Sequence, residues 1–227
     1  PDLKNHTLPK VCYLIDTHIN FEEHREIGLQ FDFIFVAQKF YVDKFKALGN
    51  KNVFWLPLAC DPEIHGKKNV SKKYEISFVG SIEGKKSRRK HLLDKINKNF
   101  NLQCERRFMN EMAEVFSASH IIFNNAIKND LNMRVFEALC SGSMLITDKA
   151  DGSGLDGFFE NGKHLAIYED DQLIENIKFY LDRPLLMNSI AETGRKEVLE
   201  KHTYDIRVIT MIETLDKLFT GINKKND

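Results

Sequence analysis

The chain of 227 residues is short of several things, and each shortage closes off a class of protein. It carries no excess of charge: Lys and Arg number 33 and Asp and Glu also 33, so bulk attraction to nucleic acid or to anionic membrane is not implied. Its four cysteines (Cys12, Cys60, Cys104 and Cys140) are scattered through apolar segments and form no Cys-x-x-Cys pair. Neither a zinc site nor a disulfide framework is expected, and a reducing cytoplasm is the natural compartment. No apolar run approaches bilayer length and no secretory signal is visible, so no integral membrane segment is expected. Gly-x-Gly-x-x-Gly is absent, and Gly84-Lys85-Lys86-Ser87 falls one residue short of a Walker A loop. There is no Asp-x-Asp, and His18 and His24 lie six apart where four would put two ligands on one helix face. A metal is therefore not expected. There is no internal repeat, and only the Lys-Lys-Asn-Asp tail looks disordered.

What is present suits an ordinary core, with 42% hydrophobic and 29% charged residues. Short apolar runs at 11–15, 31–37 and 53–57 read as strands, with a helix over 40–48 stopped by Gly49-Asn50. The polar, basic stretch 67–73 marks the best domain boundary. Beyond it come a strand at 74–79, a helix at 88–100, a strand at 102–106 and a helix at 110–119. Strands follow at 121–123, 144–147 and 164–168, and helices at 172–181, 185–200 and 204–219. Strands alternating with helices argue for an α/β fold built on parallel sheets covered on their faces. The expected division is a partial front α/β domain over 1–66 and a C-terminal α/β domain over 67–227. The last helix (204–220) would cross back, because the spacing of Ile206, Ile209, Ile212, Leu215 and Leu218 needs a partner surface.

The most informative stretch runs from Ile121 to Thr147. Ile121-Ile122-Phe123 is an apolar run too short for a helix, and Asn124 and Asn125 end it. Asn129 or Asp130 can cap the helix that follows, and Leu131, Val135 and Leu139 give it a buried side. Gly142 stops that helix, and Met144-Leu-Ile-Thr147 returns to the sheet. Met133 and Glu137 share another face one turn apart. Free amides at a helix N-terminus suit a diphosphate, and a carboxylate one turn deeper can accept ribose hydroxyls. The bland alternative is a surface glutamate pairing with Arg134, and on spacing alone it is the better one.

The segment Asn132-Met-Arg-Val-Phe-Glu-Ala-Leu-Cys-Ser-Gly-Ser-Met-Leu-Ile-Thr147 resembles the donor-site signature of GT-B glycosyltransferases. It is most similar to the group that includes the spore-maturation protein CgeB. Three further segments match that group in the same order: Ile76-Ser-Phe-Val-Gly-Ser81, Phe158-Phe-Glu-Asn-Gly-Lys-His-Leu-Ala-Ile-Tyr168 and His202-Thr-Tyr-Asp-Ile-Arg207. The resemblance implies a Rossmann-like parallel-sheet donor domain preceded by a short, Rossmann-like N-terminal part. Donor nucleotide-sugar contacts would come from Gly80, Ser81, Arg88, Arg89, Glu137 and the loop Asn129, Asp130, Leu131, Asn132, Met133 and Arg134. One position departs from the pattern. Many retaining members carry two glutamates separated by seven residues; Glu137 matches the second, while Asn129 stands where the first would be.

Other candidates have bland readings beside them. Gly80-Ser-Ile-Glu-Gly84 sits where a phosphate loop would, or is a plain turn. In Lys85-Lys-Ser-Arg-Arg-Lys90 a guanidinium of Arg88 or Arg89 suits a diphosphate, while most of the run fits a solvated helix start. Asp16-Thr17-His18 lies at the carboxyl end of the first strand, the edge where parallel sheets place ligands. His18 could act as a general base oriented by Asp16, or be a loop histidine. Asp61-Pro62 reads as a turn, Phe158 to Gly162 as a loop over the nucleotide base, and Thr203 as a cap on the last helix.

The resemblance implies an enzyme moving a sugar from a nucleotide-diphosphate donor, UDP-linked by expectation, to a hydroxyl-bearing saccharide, protein or other acceptor. The donor is a substrate, and neither a cofactor nor a metal is called for. Two alternatives remain on this reading: a sugar-nucleotide epimerase, and a non-catalytic nucleotide-sugar-binding or spore-surface assembly module.

Overall fold

A computed structural model describes residues 8–82, 84 and 86–223, with side chains to residue 219. Lys85 of the basic run and the Lys-Lys-Asn-Asp tail lie outside the described residues. The chain groups into two units.

The first unit takes the chain up to Leu58, the short insert Gly152–Gly154, and everything from Tyr204. It opens with β1 (Val11–Leu14), α1 (Thr17–Gly28), β2 (Phe33–Val36), α2 (Phe40–Ala47) and β3 (Val53–Trp55). The strands form one parallel sheet in the order β1-β2-β3, with Leu14 beside Val36 and Val36 beside Trp55. All four residues of β2 are buried, which is why the strand reads as an unbroken apolar run. Leu14, Ile34, Val36, Phe45 and Val53 form its core.

The second unit comprises Ala59–Asp151 and Leu155–Thr203. It contains α3 (Pro62–His65), β4 (Tyr74–Val79), α4 (Arg88–Asn97), β5 (Leu102–Glu105), α5 (Met109–Ser117) and β6 (Ser119–Phe123). After these come α6 (Met133–Cys140), β7 (Met144–Thr147), a single 3-10 turn (Leu155–Gly157), β8 (Ala166–Ile167), α7 (Leu173–Leu181) and α8 (Pro184–Lys201). Its five strands are all parallel, in the order β5-β4-β6-β7-β8. Strand order reverses between β4 and β6, and ligands of open α/β sheets bind beyond the carboxyl ends at such a point. Ile76, Phe78, Ile121, Phe123, Met144 and Ile146 project from the sheet into the main core, with Leu92 and Ile96 of α4 and Ile190 of α8 against it.

The chain then returns to the first unit as α9 (Tyr204–Asn223). Buried Arg207 donates from Nε to the Pro57 carbonyl at 2.9 Å, and Phe219 meets Phe33 edge-on at 5.3 Å. Of the expected apolar stripe, Ile206, Leu215 and Leu218 are half-buried and Ile209 and Ile212 exposed, and the helix's buried anchor is Arg207. The division falls at Leu58, ahead of the basic stretch 67–73, so that 59–66 belong with the second unit.

Two helices depart from the sequence reading. The segment after β1 is not a loop but α1, entered through Asp16 in the left-handed region (φ 58) and broken at Asn20 (φ −115). The break hides the helical period from a pattern search. Asp61-Pro62 is not a plain turn: Asp61 caps α3, its side chain accepting from the Glu63 amide at 2.9 Å, with Pro62 in the first turn.

Candidate functional site

Three carboxyl ends meet on the second unit, those of β4, β6 and β7. The residue that ties them is Asn124, the first after β6. Its amide donates to the Ile146 carbonyl at 2.8 Å, and its side-chain Nδ2 donates to Thr147 Oγ1 at 3.0 Å. Its Oδ1 accepts from Asn132 Nδ2 at 3.2 Å and from Arg134 Nη1 at 3.0 Å. A single amide thus joins two neighbouring strands to the start of α6.

Arg134 completes the bridge across the switch point. Its Nε donates to the Val79 carbonyl at 2.8 Å, and its guanidinium lies 4.8 Å from the centre of the Phe78 ring. Arg89, buried in the first turn of α4, covers the same ring at 5.4 Å and donates to the carbonyls of Ser81 (2.8 Å) and Asn125 (2.9 Å). Burial, together with the Arg89 charge, lowers the Arg134 guanidinium to about 10. Among the described residues no carboxylate lies within ion-pair distance of Arg134. Two guanidinium groups, those of Arg89 and Arg134, converge on the Phe78 ring at the end of β4.

Arg88 behaves differently. It is paired with Asp148 at 2.6 Å and with Asp170 at 2.5 Å, and these carboxylates raise its affinity for its proton. Asp148, at the end of β7, also accepts from the Ala126 amide at 2.8 Å and from Asn125 Nδ2 at 3.1 Å. The charge of Arg88 is thus balanced within the protein, and its part is to hold the loop after β6.

The helix begins later than its expected caps. Asn132 occupies the cap position with no side-chain cap bond, and α6 opens at Met133. Asn129 and Asp130 do not cap it because the loop turns ahead of them. Lys128 (φ 51) and Asn129 (φ 57) are both left-handed, and the Asp130 amide bonds back to Ile127 at 3.1 Å. Asparagine tolerates that conformation better than most residues. Asp130 and Leu131 are buried, whereas Met133 at the tip is 36% exposed. The amides of Met133 and Arg134 open a helix with no acidic residue in its first turn.

Glu137 lies one turn further in. It is only 6% exposed, so it is not the solvated glutamate that spacing alone favoured. Burial pushes its carboxyl up to about 7, against the pull of Arg134. Its Oε1 lies 3.4 Å from Nε2 of His65, a residue the sequence reading passed over. The only sequence signal for His65 is its place three residues after a cap-and-proline start.

The remaining candidates sit as follows. Gly80 and Ser81 follow β4 and, with Ile82, Cys104, Glu105 and Arg106, line an open cavity of about 350 Å³. Phe158 and Phe159 pack with His202, ring centres 4.5 and 5.1 Å apart, and so build the interior of the second unit. On the first unit, Asp16 is exposed and precedes α1, while His18 is buried within its first turn. That turn is held by the Thr17 amide donating to Gln38 Oε1 at 3.0 Å.

Residues 73–213 match the model of the glycosyl transferase-like family, more than half of the chain. The chain belongs to that family. No curated protein matches it. Among solved structures it is similar to the sucrose-phosphate synthase of Thermosynechococcus elongatus, at 13% identity and TM-score 0.65, with 90% of this chain and 62% of that one covered. It is also similar to Anabaena HepE in complex with UDP and glucose, at 12% identity and TM-score 0.70, covering 92% and 72%. A third is an S. aureus TarM mutant in complex with UDP, at 12% identity and TM-score 0.64, covering 89% and 50%. The chain therefore has the GT-B type of fold, and it spans 62% of the length of the sucrose-phosphate synthase and 50% of that of TarM. Among the described residues no helix is long and apolar enough to cross a membrane.

Proposed function

We propose that the protein transfers a sugar from a nucleotide-diphosphate donor, UDP-linked, to a hydroxyl-bearing acceptor, without a metal. The observation that carries this reading is Glu137, buried one turn inside the N-terminus of α6, where the first turn holds no acidic residue. The diphosphate would lie against the amides of Met133 and Arg134, with the Arg134 guanidinium adding positive charge. Negative charge grows on the departing diphosphate as the glycosidic bond breaks. Fixed amides and guanidinium groups stabilise that charge without reorganising, which is where they contribute most. Glu137 would accept hydrogen bonds from the ribose hydroxyls. HepE and TarM were determined with UDP, which supports uridine as the base.

The order of the four motifs supports placing the chain in the CgeB-like group, with a saccharide or protein as acceptor. A cytoplasmic setting fits the four free cysteines. Asn129, standing where many retaining members have a glutamate, favours a second reading in which the nucleotide sugar is bound but not turned over.

Calorimetric titration with UDP-glucose, followed by a UDP-release assay with sugar acceptors, tests both readings. Binding with turnover supports the transferase, and binding without turnover on any acceptor supports the second reading. Glu137→Ala should weaken donor binding by about 1–3 kcal/mol, the cost of losing a charged acceptor. An unchanged affinity in a folded mutant would remove Glu137 from the site.

A further inference from the structure

His65 ends α3, a helix of only 4 residues. Its ring is held by its own turn. Nδ1 accepts from the Asp61 amide at 2.9 Å, while the His65 amide donates to the Asp61 carbonyl at 2.7 Å. A neutral imidazole whose Nδ1 accepts must carry its proton on Nε2. That nitrogen faces Glu137 Oε1 at 3.4 Å, and the two side chains are 9% and 7% exposed. Burial lowers the proton affinity of His65, with Asp61 opposing that shift and Lys68 adding to it. The contact is a 3.4 Å approach between Nε2 of a buried imidazole, its proton affinity lowered by burial, and a buried carboxyl oxygen. On α6 itself Arg134 is the charged group that acts on Glu137.

We infer that His65 is a positioning residue for Glu137: it holds Oε1 on the protein side and turns Oε2 toward the vicinal hydroxyls of a nucleotide ribose. The inference rests on the nucleotide-sugar reading above. It makes the 2′-hydroxyl a feature the protein reads, because a carboxylate fixed at one oxygen cannot rotate to compensate for a missing donor. A carboxylate free to turn would discriminate less. His65 touches no substrate atom and acts only through Glu137.

The test compares the affinity of UDP with that of 2′-deoxy-UDP by calorimetry, with folding checked by thermal unfolding. The wild type should prefer UDP by roughly tenfold, about the cost of one unmet buried acceptor. His65→Leu removes the donor and should bring that preference close to one. His65→Gln places an amide N–H near the Nε2 position and should restore most of it. A folded His65→Leu protein that keeps the wild-type preference overturns the inference, as does a folded His65→Gln protein that loses it. The second variant keeps the question decidable where leucine prevents folding. UDP binding with full 2′-hydroxyl preference in His65→Leu would defeat only the role of His65. No UDP binding by the wild type would defeat the nucleotide reading and this inference together.

Discussion

Nη2 of Arg134 stands 2.3 Å from where a Cβ on residue 80 would lie, so the guanidinium occupies space that only glycine leaves open. Gly80 has φ 155, in a region L side chains rarely adopt, and it directly follows the carbonyl-bearing end of β4. The Phe78 ring closes the same space from the other side, its Cζ 3.2 Å from that Cβ position.

Gly80→Ala should therefore displace Arg134 from Val79 and Asn124. The strain should cost about 1–3 kcal/mol of stability, and UDP binding should fall roughly tenfold or more with the loss of one guanidinium contact. Thermal unfolding and calorimetry read the two effects separately. Unchanged binding with Arg134 displaced would mean that this guanidinium does not serve the donor.

The buried carboxyl of Glu137 gives a pH dependence whose sign is fixed. Its proton affinity in the folded protein, about 7, lies above its ordinary value of 4.5, so between those limits the folded state holds more protons. Stability from this group is full below about pH 4.5 and is lost as pH rises through about 7, by an order of 3 kcal/mol at most. Glu137→Gln should flatten that fall, and denaturant unfolding at pH 5 and pH 8 measures it. Donor affinity should move oppositely in the wild type, rising through about pH 7 as the carboxylate forms.

The chain has no Asp-x-Asp, the sequence on which metal-dependent transferases of the other main fold rely, and this motivates an expectation of metal independence. Donor turnover should be unaffected by EDTA. Activity lost on chelation and restored by Mn²⁺ or Mg²⁺ would show that the diphosphate is neutralised in another way.

The general-base role expected for His18 from the sequence predicts that its removal affects turnover more than donor affinity. His18→Ala is expected to lower kcat by roughly 10²-fold or more, the usual contribution of a general base, while leaving UDP affinity within about twofold. Its burial beside Thr17 makes a thermal-unfolding control necessary. Full activity in the folded mutant would remove it from the reaction.

The buried strands were legible in the sequence because the sheet encloses them. Tyr74–Val79 and Met144–Thr147 begin and end where their apolar runs do. The strand expected at 164–168 shrank to Ala166–Ile167, since His164 instead accepts at Nδ1 from the Glu160 amide in a turn. Arg88 and Arg89 looked equivalent as neighbours in a basic run. Their difference comes from partners far along the chain: Asp148 and Asp170 for one, the Asn125 carbonyl for the other. Asn124 and Asp148 left a fainter trace, as polar residues immediately after parallel strands. His65 left almost none, because a four-residue helix has too few positions to show a period.

The return of α9 to the first unit has a consequence for the order in which the chain acquires its structure. The sheet of β1, β2 and β3 is synthesised before α9, yet the carbonyls of Pro57 and Leu58 wait for Arg207, made about 150 residues later. Residues 59–203 can close their own sheet as they emerge, apart from the short excursion at Gly152–Gly154. The strands made ahead of residues 59–203 are thus finished after them, and during translation the carbonyls of Pro57 and Leu58 are left to water or to chaperones.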